Sequence, residues 1–93
     1  MNVRWQSQFK KDYKRMLKRG KAINKLDEVI EELAVPNPLP EKYRDHSLKG
    51  NYVGYKECHI EPDWLLIYGY ESIDEGELQL LLVRTGTHSD LFT

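Results

Sequence analysis

A chain of 93 residues, 40% hydrophobic and 11% aromatic, fills one core and not two, so a single domain over 1–93 is expected. No apolar run approaches the ~20 residues that cross a bilayer, and Met1-Asn2-Val3-Arg4 lacks a signal peptide's apolar stretch, so the expectation is a cytoplasmic protein with no membrane contact. The formal charge of −1 excludes a uniformly basic surface, yet residues 1–25 hold nine Lys or Arg against one acid, and the remaining 68 residues carry −9, which suggests one face for a polyanion.

Val3 and Trp5 alternate with polar neighbours, the pattern of a short opening strand, and Ser7 is placed to N-cap a helix that starts at 7 or 8. At about 100° per residue, Phe9, Tyr13, Met16 and Leu17 share an arc of about 100°. Lys10, Lys11, Lys14, Arg15, Lys18 and Arg19 fill the other side, so this helix is apolar inward and basic outward. Gly20 predicts its C-terminal break. A second stripe of Ala22, Ile23, Leu26, Val29, Ile30 and Leu33 follows, with an acidic outer face, until Pro36 stops it. The two helices read as a hairpin. Pro36-Asn37-Pro38-Leu39-Pro40 then reads as a stiff, extended connector.

From Asn51 the composition turns to Tyr, Val, Ile, Leu and Trp, punctuated at Glu61-Pro62-Asp63 and Asp74-Glu75-Gly76, which predicts three strands near 51–60, 64–71 and 77–84. Both gaps are too short for a parallel crossover, so these strands form antiparallel hairpins. The fold class is α+β: an N-terminal strand, a helical hairpin, then antiparallel strands in a small twisted sheet. Trp64-Leu65-Leu66-Ile67-Tyr68 is continuously apolar and must be covered on both faces, by helices on one and by the C-terminal tail, a partner or both on the other.

The three histidines lie at or beyond element ends: His46 in a loop, His59 at a strand end and His88 after the last strand, with Asp45, Glu61, Asp63 and Arg84 around them. Glu61-Pro62-Asp63-Trp64 fits a type I turn that holds Asp63 at a hairpin tip near His59, which permits an acid/base pair. For each histidine taken singly, a structural role is the plainer reading. Cys58 and His59 face opposite sides of a regular strand, which rejects a thiol–imidazole pair. The lone cysteine closes no intrachain disulfide, and no short ligand spacing supports a zinc site, so neither metal nor cofactor is expected. Trp64 reads as core, and Tyr52, Tyr55, Tyr68 and Tyr70 as strand residues rather than stacking platforms.

Taken in order, Lys42-Tyr43-Arg44-Asp45-His46-Ser47-Leu48, the run from Gly54 through His59-Ile60-Glu61-Pro62-Asp63-Trp64 to Tyr68, and Arg84-Thr85-Gly86-Thr87-His88-Ser89-Asp90-Leu91-Phe92 resemble the signature of the YafQ branch of the RelE/ParE toxin superfamily. The resemblance runs essentially end to end. It implies a RelE-like fold and a bacterial type II toxin: a ribosome-dependent endoribonuclease that cuts mRNA in the A site and is silenced by a cognate antitoxin. It also implies that His46, His59, Asp63, Arg84 and His88 are catalytic groups, with Phe92 as a substrate contact. Cutting RNA without a metal needs a base for the 2′-OH, an acid for the leaving 5′ oxygen and positive charge for the phosphate oxygens. Imidazoles, with an ordinary pKa of ~6.5, and an arginine fork can supply these.

Two assignments stay open at this level. The base is one of His46, His59, Asp63 and His88, with Asp63 otherwise fixing a histidine tautomer, and Phe92 either stacks on a nucleobase or packs on the sheet. Lys10, Lys11, Lys14 and Arg15 on the first helix are expected to dock on ribosomal RNA. The acidic tip Asp74-Glu75-Gly76-Glu77 is expected to face away from the ribosome or toward the antitoxin, for which a small acidic or amphipathic protein is expected. The alternative is a non-catalytic antitoxin- or ribosome-binding module of the same fold, which has no need of the histidines.

Overall fold

The computed structural model describes residues 1–35, 46, 47, 52 and 54–92, with His46 and Ser47 described by their backbone alone. The elements are β1 (Asn2–Trp5), α1 (Ser7–Lys18), α2 (Ile23–Leu33), β2 (His46–Ser47), β3 (Lys56–Glu61), β4 (Trp64–Asp74), β5 (Glu77–Gly86) and α3 (His88–Phe92). The five strands form one sheet in the order β1-β5-β4-β3-β2, with α1 on β5 and α2 on β3. The hairpins β3–β4 and β4–β5 are antiparallel, as the short gaps require. β1 joins the β5 edge in parallel, from Asn2 opposite Gln79 to Trp5 opposite Leu82. The proline connector 36–40 lies outside the described residues. Among the described residues no helix is long and apolar enough to cross a membrane.

Three local expectations need correction. Ser7 is the first helical residue and Gln6 the N-cap, without a side-chain cap bond. The Gln6 N–H is held by the ladder, donating to Leu82 O at 3.1 Å, so the strand sets the entry into the helix. Leu17 is 48% exposed, because the line that α1 buries is Phe9, Asp12 and Met16, all at 0% exposure. At about 100° per residue those three fall within about 60°, and Leu17 lies about 80° past Phe9 on the outer flank of Tyr13. Ala22 is the exposed N-cap of α2 rather than part of its buried stripe. The C-terminal break of α1 falls where expected. Gly20 has φ 76°, a left-handed conformation that suits glycine, and Gly20 N–H to Leu17 O and Lys21 N–H to Met16 O close the last turn.

Core side chains divide between the two faces of the sheet. On the helical side Cys58, Ile60, Trp64, Leu66, Tyr68, Leu80 and Leu82 pack with Phe9, Met16, Leu26, Val29, Ile30 and Leu33. On the other side Leu65, Ile67, Leu81 and Val83 pack with Leu91 of α3, flanked by Tyr52 and Tyr55. Gly69 admits the Tyr55 ring, since a Cβ there would stand 2.7 Å from Tyr55 Cδ1. Trp64 through Tyr68 are therefore buried on both faces by the chain's own residues, each contributing roughly 1.5–3 kcal/mol of apolar burial. The C-terminal tail supplies much of that second cover, so the two-faced strand is not evidence of a partner. β3 begins at Lys56 rather than near 51, because Tyr52 O accepts the Tyr55 N–H and turns the chain first.

Candidate active site

The site lies at the end of the sheet where β3 stops, β4 starts and β5 stops. Glu61 and Trp64 are paired across the turn Pro62-Asp63, and Leu65 is paired with Gly86, so the β3–β4 turn stands beside the entry to α3. Asp63 and His88 meet there. Asp63 Oδ1 accepts the His88 backbone N–H at 2.9 Å and lies 2.6 Å from His88 Nδ1. The backbone N–H first, and the imidazole second, hold the Asp63 carboxyl below the usual carboxylate range. Its carboxylate is an acceptor only, so Nδ1 is the nitrogen that donates to it, and in the neutral imidazole Nε2 is the one that keeps the lone pair.

The expected pairing of Asp63 with His59 is not formed. His59 Nε2 stands 3.3 Å from Glu57 Oε1, and its ring centroid is 5.9 Å from that of His88. A register shift between His59 and Glu61 separates His59 from the turn, while α3 brings His88 to Asp63. Cys58 packs in the helical-side core and His59 lies opposite Leu65 of the other cluster, so the two occupy opposite faces as expected. The pair of Asp63 and His88 is open to solvent, with side chains 66% and 53% exposed, whereas those of His59 and Glu57 are 15% and 6% exposed.

Phe92 is one turn along α3. Its ring lies 6.2 Å from His88 and meets Tyr52 edge to face at 5.9 Å, while 45% of the residue remains exposed. Tyr52 in turn accepts a hydrogen bond from Arg84 Nη1 at 3.3 Å. The Arg84 Nε donates to Asp12 Oδ2 at 2.7 Å and its Nη2 to Asp12 Oδ1 at 3.3 Å, which raises the guanidinium pKa further. His59, His88, Phe92, Tyr52 and Arg84 thus form a continuous series of contacts. His46 pairs with Glu57 in the β2–β3 register, and its side chain, like Asp45, lies outside the described residues.

The flanking groups hold the framework. Thr87 and Asp90 form a reciprocal cap on α3: Asp90 N–H donates to Thr87 Oγ1 at 3.1 Å and Thr87 N–H to Asp90 Oδ2 at 2.9 Å. Arg19 donates twice to Asp90, at 2.6 and 2.9 Å, and is the chief cause of an Asp90 pKa far below the usual range. Glu61 is gripped by Lys25 at 3.0 Å and Lys21 at 3.4 Å, with Lys25 chiefly responsible for its lowered pKa, which ties the Asp63 turn to the start of α2. Trp64 is core, its Nε1–H donating to Thr85 Oγ1 at 3.0 Å.

Of the basic set expected to dock on RNA, Lys10, Lys11 and Lys14 are exposed, as is Lys18. Arg15 is partly committed inward, with Nη2 2.6 Å from Asp12 Oδ1 and Nη1 3.8 Å from Asp90. Two residues at the site escaped the sequence reading. Asp12 had a signal, since it is the one acid in the first 25 residues and interrupts the apolar line between Phe9 and Met16. Tyr52 had none, because nothing local marks it as the hinge between Phe92 and Arg84. Among the described residues no group of three or more His, Cys, Asp and Glu could hold a metal ion.

Known proteins resemble this chain along its whole length. A family model described as the bacterial toxin of type II toxin-antitoxin systems, YafQ, matches residues 1–93. The mRNA interferase toxin YafQ of Escherichia coli K12 is 41% identical over 93 residues, 98% of this chain and 95% of that protein. The crystal structure of YafQ from E. coli BL21(DE3) superposes with a TM-score of 0.88 at 39% identity, covering 99% of this chain and 98% of the other. YafQ within the E. coli DinJ-YafQ toxin-antitoxin complex superposes with a TM-score of 0.84 at 40% identity, with 99% and 97% covered. With a RelE-like α+β fold and a match from its first residue to its last, the chain belongs to the YafQ family of bacterial type II toxins.

Proposed function

We propose that this chain is an mRNA interferase: a ribosome-dependent endoribonuclease, acting in the cytoplasm as a single domain over residues 1–93, that cuts mRNA in the A site and is held inactive by a cognate antitoxin. The similar E. coli toxins are named mRNA interferases and one is solved with the DinJ antitoxin, which supports both halves of the reading. The observation that carries it is the Asp63–His88 pair, 2.6 Å apart at the open end of the sheet. With Nδ1–H given to Asp63, His88 Nε2 takes the 2′-OH proton, and the second imidazole, His59, stands close enough to serve the leaving 5′ oxygen. Asp63 therefore acts as the tautomer-fixing group rather than the base.

Arg84 neutralises charge building on the phosphate oxygens, Phe92 offers an exposed ring to a nucleobase, and His46 completes the histidine set. The attack of the 2′-OH on phosphorus expels the 5′ oxygen, and base, acid and positive charge all come from the chain, so the reaction needs no metal. Lys10, Lys11 and Lys14, with Arg15 behind them, dock on ribosomal RNA. The acidic tip at Asp74 to Glu77 is ten residues of β4 away from the Asp63 end, roughly 30 Å at the usual strand rise, which leaves it free for the antitoxin.

The test is to induce wild type and His88→Ala in bacteria and map the 5′ ends of cellular mRNA. Codon-phased cuts are expected with wild type and are reduced about 10²- to 10⁴-fold in the variant, the usual worth of a general base. Growth arrest by both proteins without phased cuts overturns the nuclease reading and favours a binding module.

A further inference from the structure

We propose that Asp12 is the positioning residue for Arg84, its buried carboxylate aiming the guanidinium so that part of the fork stays available for the scissile phosphate. This rests on the reading of Arg84 as the phosphate contact. Asp12 lies fully buried on the inward line of α1, between Phe9 and Met16, where an apolar residue would pack at no electrostatic cost. A buried carboxylate is tolerated only when it is paired and hydrogen-bonded. Here Oδ1 accepts from Gln8 Nε2, Arg15 Nη2 and Arg84 Nη2, and Oδ2 from Arg84 Nε and the Thr85 backbone N–H.

The place of these contacts explains their purpose. β1 ends at Trp5 opposite Leu82, and Gln6 N–H donates to Leu82 O just past it, so beyond Leu82 the edge of β5 has no neighbouring strand among the described residues. The Asp12 carboxylate stands in for the absent strand by taking the Thr85 N–H at 3.1 Å, and it grips the side chain of the residue before. A register shift re-aims Arg84 just there: Leu82 pairs with Tyr68 and Arg84 with Ile67, leaving Val83 as the extra residue. An arginine has five N–H donors. Asp12 takes two and the Tyr52 hydroxyl one, so one N–H on each terminal nitrogen is uncommitted among the described residues. Two such donors suit two oxygens of a phosphate.

The experiment compares wild type, Asp12→Asn, Arg84→Gln and the double variant for cleavage of ribosome-bound mRNA, and follows the Arg84 Nε–H resonance by NMR of the isolated protein. Asp12→Asn is expected to lower kcat about 10²-fold with little change in KM, the penalty for a misaimed group. The double variant is expected to match Arg84→Gln within about twofold, because the two residues act as one unit. A folded Asp12→Asn with wild-type kcat, or a double variant slower than Arg84→Gln by the full Asp12→Asn factor, overturns the proposal. A buried role confined to folding would move stability without either pattern.

If Asp12→Asn does not fold, wild-type protein decides: the Arg84 Nε–H is expected to exchange with water at least tenfold more slowly than that of the exposed Arg4, and equal rates overturn the proposal. An Arg84→Gln protein of full activity refutes the phosphate role itself. The NMR comparison still judges whether Asp12 holds the side chain.

Discussion

At the scale of single residues, the Asp63–His88 contact decides which imidazole nitrogen is free, and its pH dependence has a definite sign. Asp63 has a lowered pKa in the folded chain. Its contribution to stability is therefore complete above the ordinary aspartate pKa of ~3.9 and is lost as pH falls through the lower folded value. Urea midpoints of wild type and Asp63→Asn are expected to differ at about pH 5 and to converge as the pH falls below about 4. At pH 7 the same variant is expected to cut mRNA about 10²-fold more slowly, since an amide no longer enforces Nδ1–H on His88. The sequence held most of this cluster in view: His59, Asp63, Arg84, His88 and Phe92 are all found at one end of the sheet. What it concealed was the pairing, because proximity along the chain favours His59 for Asp63 and only the return of α3 favours His88. Asp12 was concealed for another reason: a search for apolar periodicity passes over a charge that sits in the same line.

At the scale of elements, α3 depends on its surroundings for its order. Five residues are too few to hold a helix in water, so its order comes from the Thr87–Asp90 cap, the two bonds from Arg19 and the burial of Leu91. Thr87→Ala is expected to cost about 1 kcal/mol by loss of the cap, read from urea unfolding. Arg19→Ala is expected to speed amide exchange at Leu91, whose N–H donates to Thr87 O, by about tenfold while leaving the β4–β5 amides protected. Uniform acceleration across the sheet would show that α3 has no separate stability. Helices, hairpins and their order were legible because apolar spacing, Gly20 and the two short turns act locally. The parallel seat of β1 was not, since it joins Asn2–Trp5 to a strand that begins more than 70 residues later and no local pattern carries that pairing.

At the scale of the molecule, the near-zero net charge conceals two opposed regions, and the proposed docking on RNA makes a testable use of their separation. Lys10, Lys11 and Lys14 project from the outer side of α1 while the acidic hairpin tip stands at the far end of β4. Ribosome affinity is expected to fall steeply with salt. A triple change of those lysines to glutamate is expected to lower the slope of log affinity against log salt by about 3, one for each lysine that no longer meets a phosphate. An unchanged slope would remove α1 from the interface.

α1 also ties the proposed docking face to the site. Its outer lysines, the Asp12 that grips Arg84 and the Arg19 that clamps the cap beside His88 all belong to one helix of 12 residues and its C-cap. If α1 docks on the ribosome as proposed, a tilt of this helix is expected to carry guanidinium and imidazole with it, as two jaws on one handle.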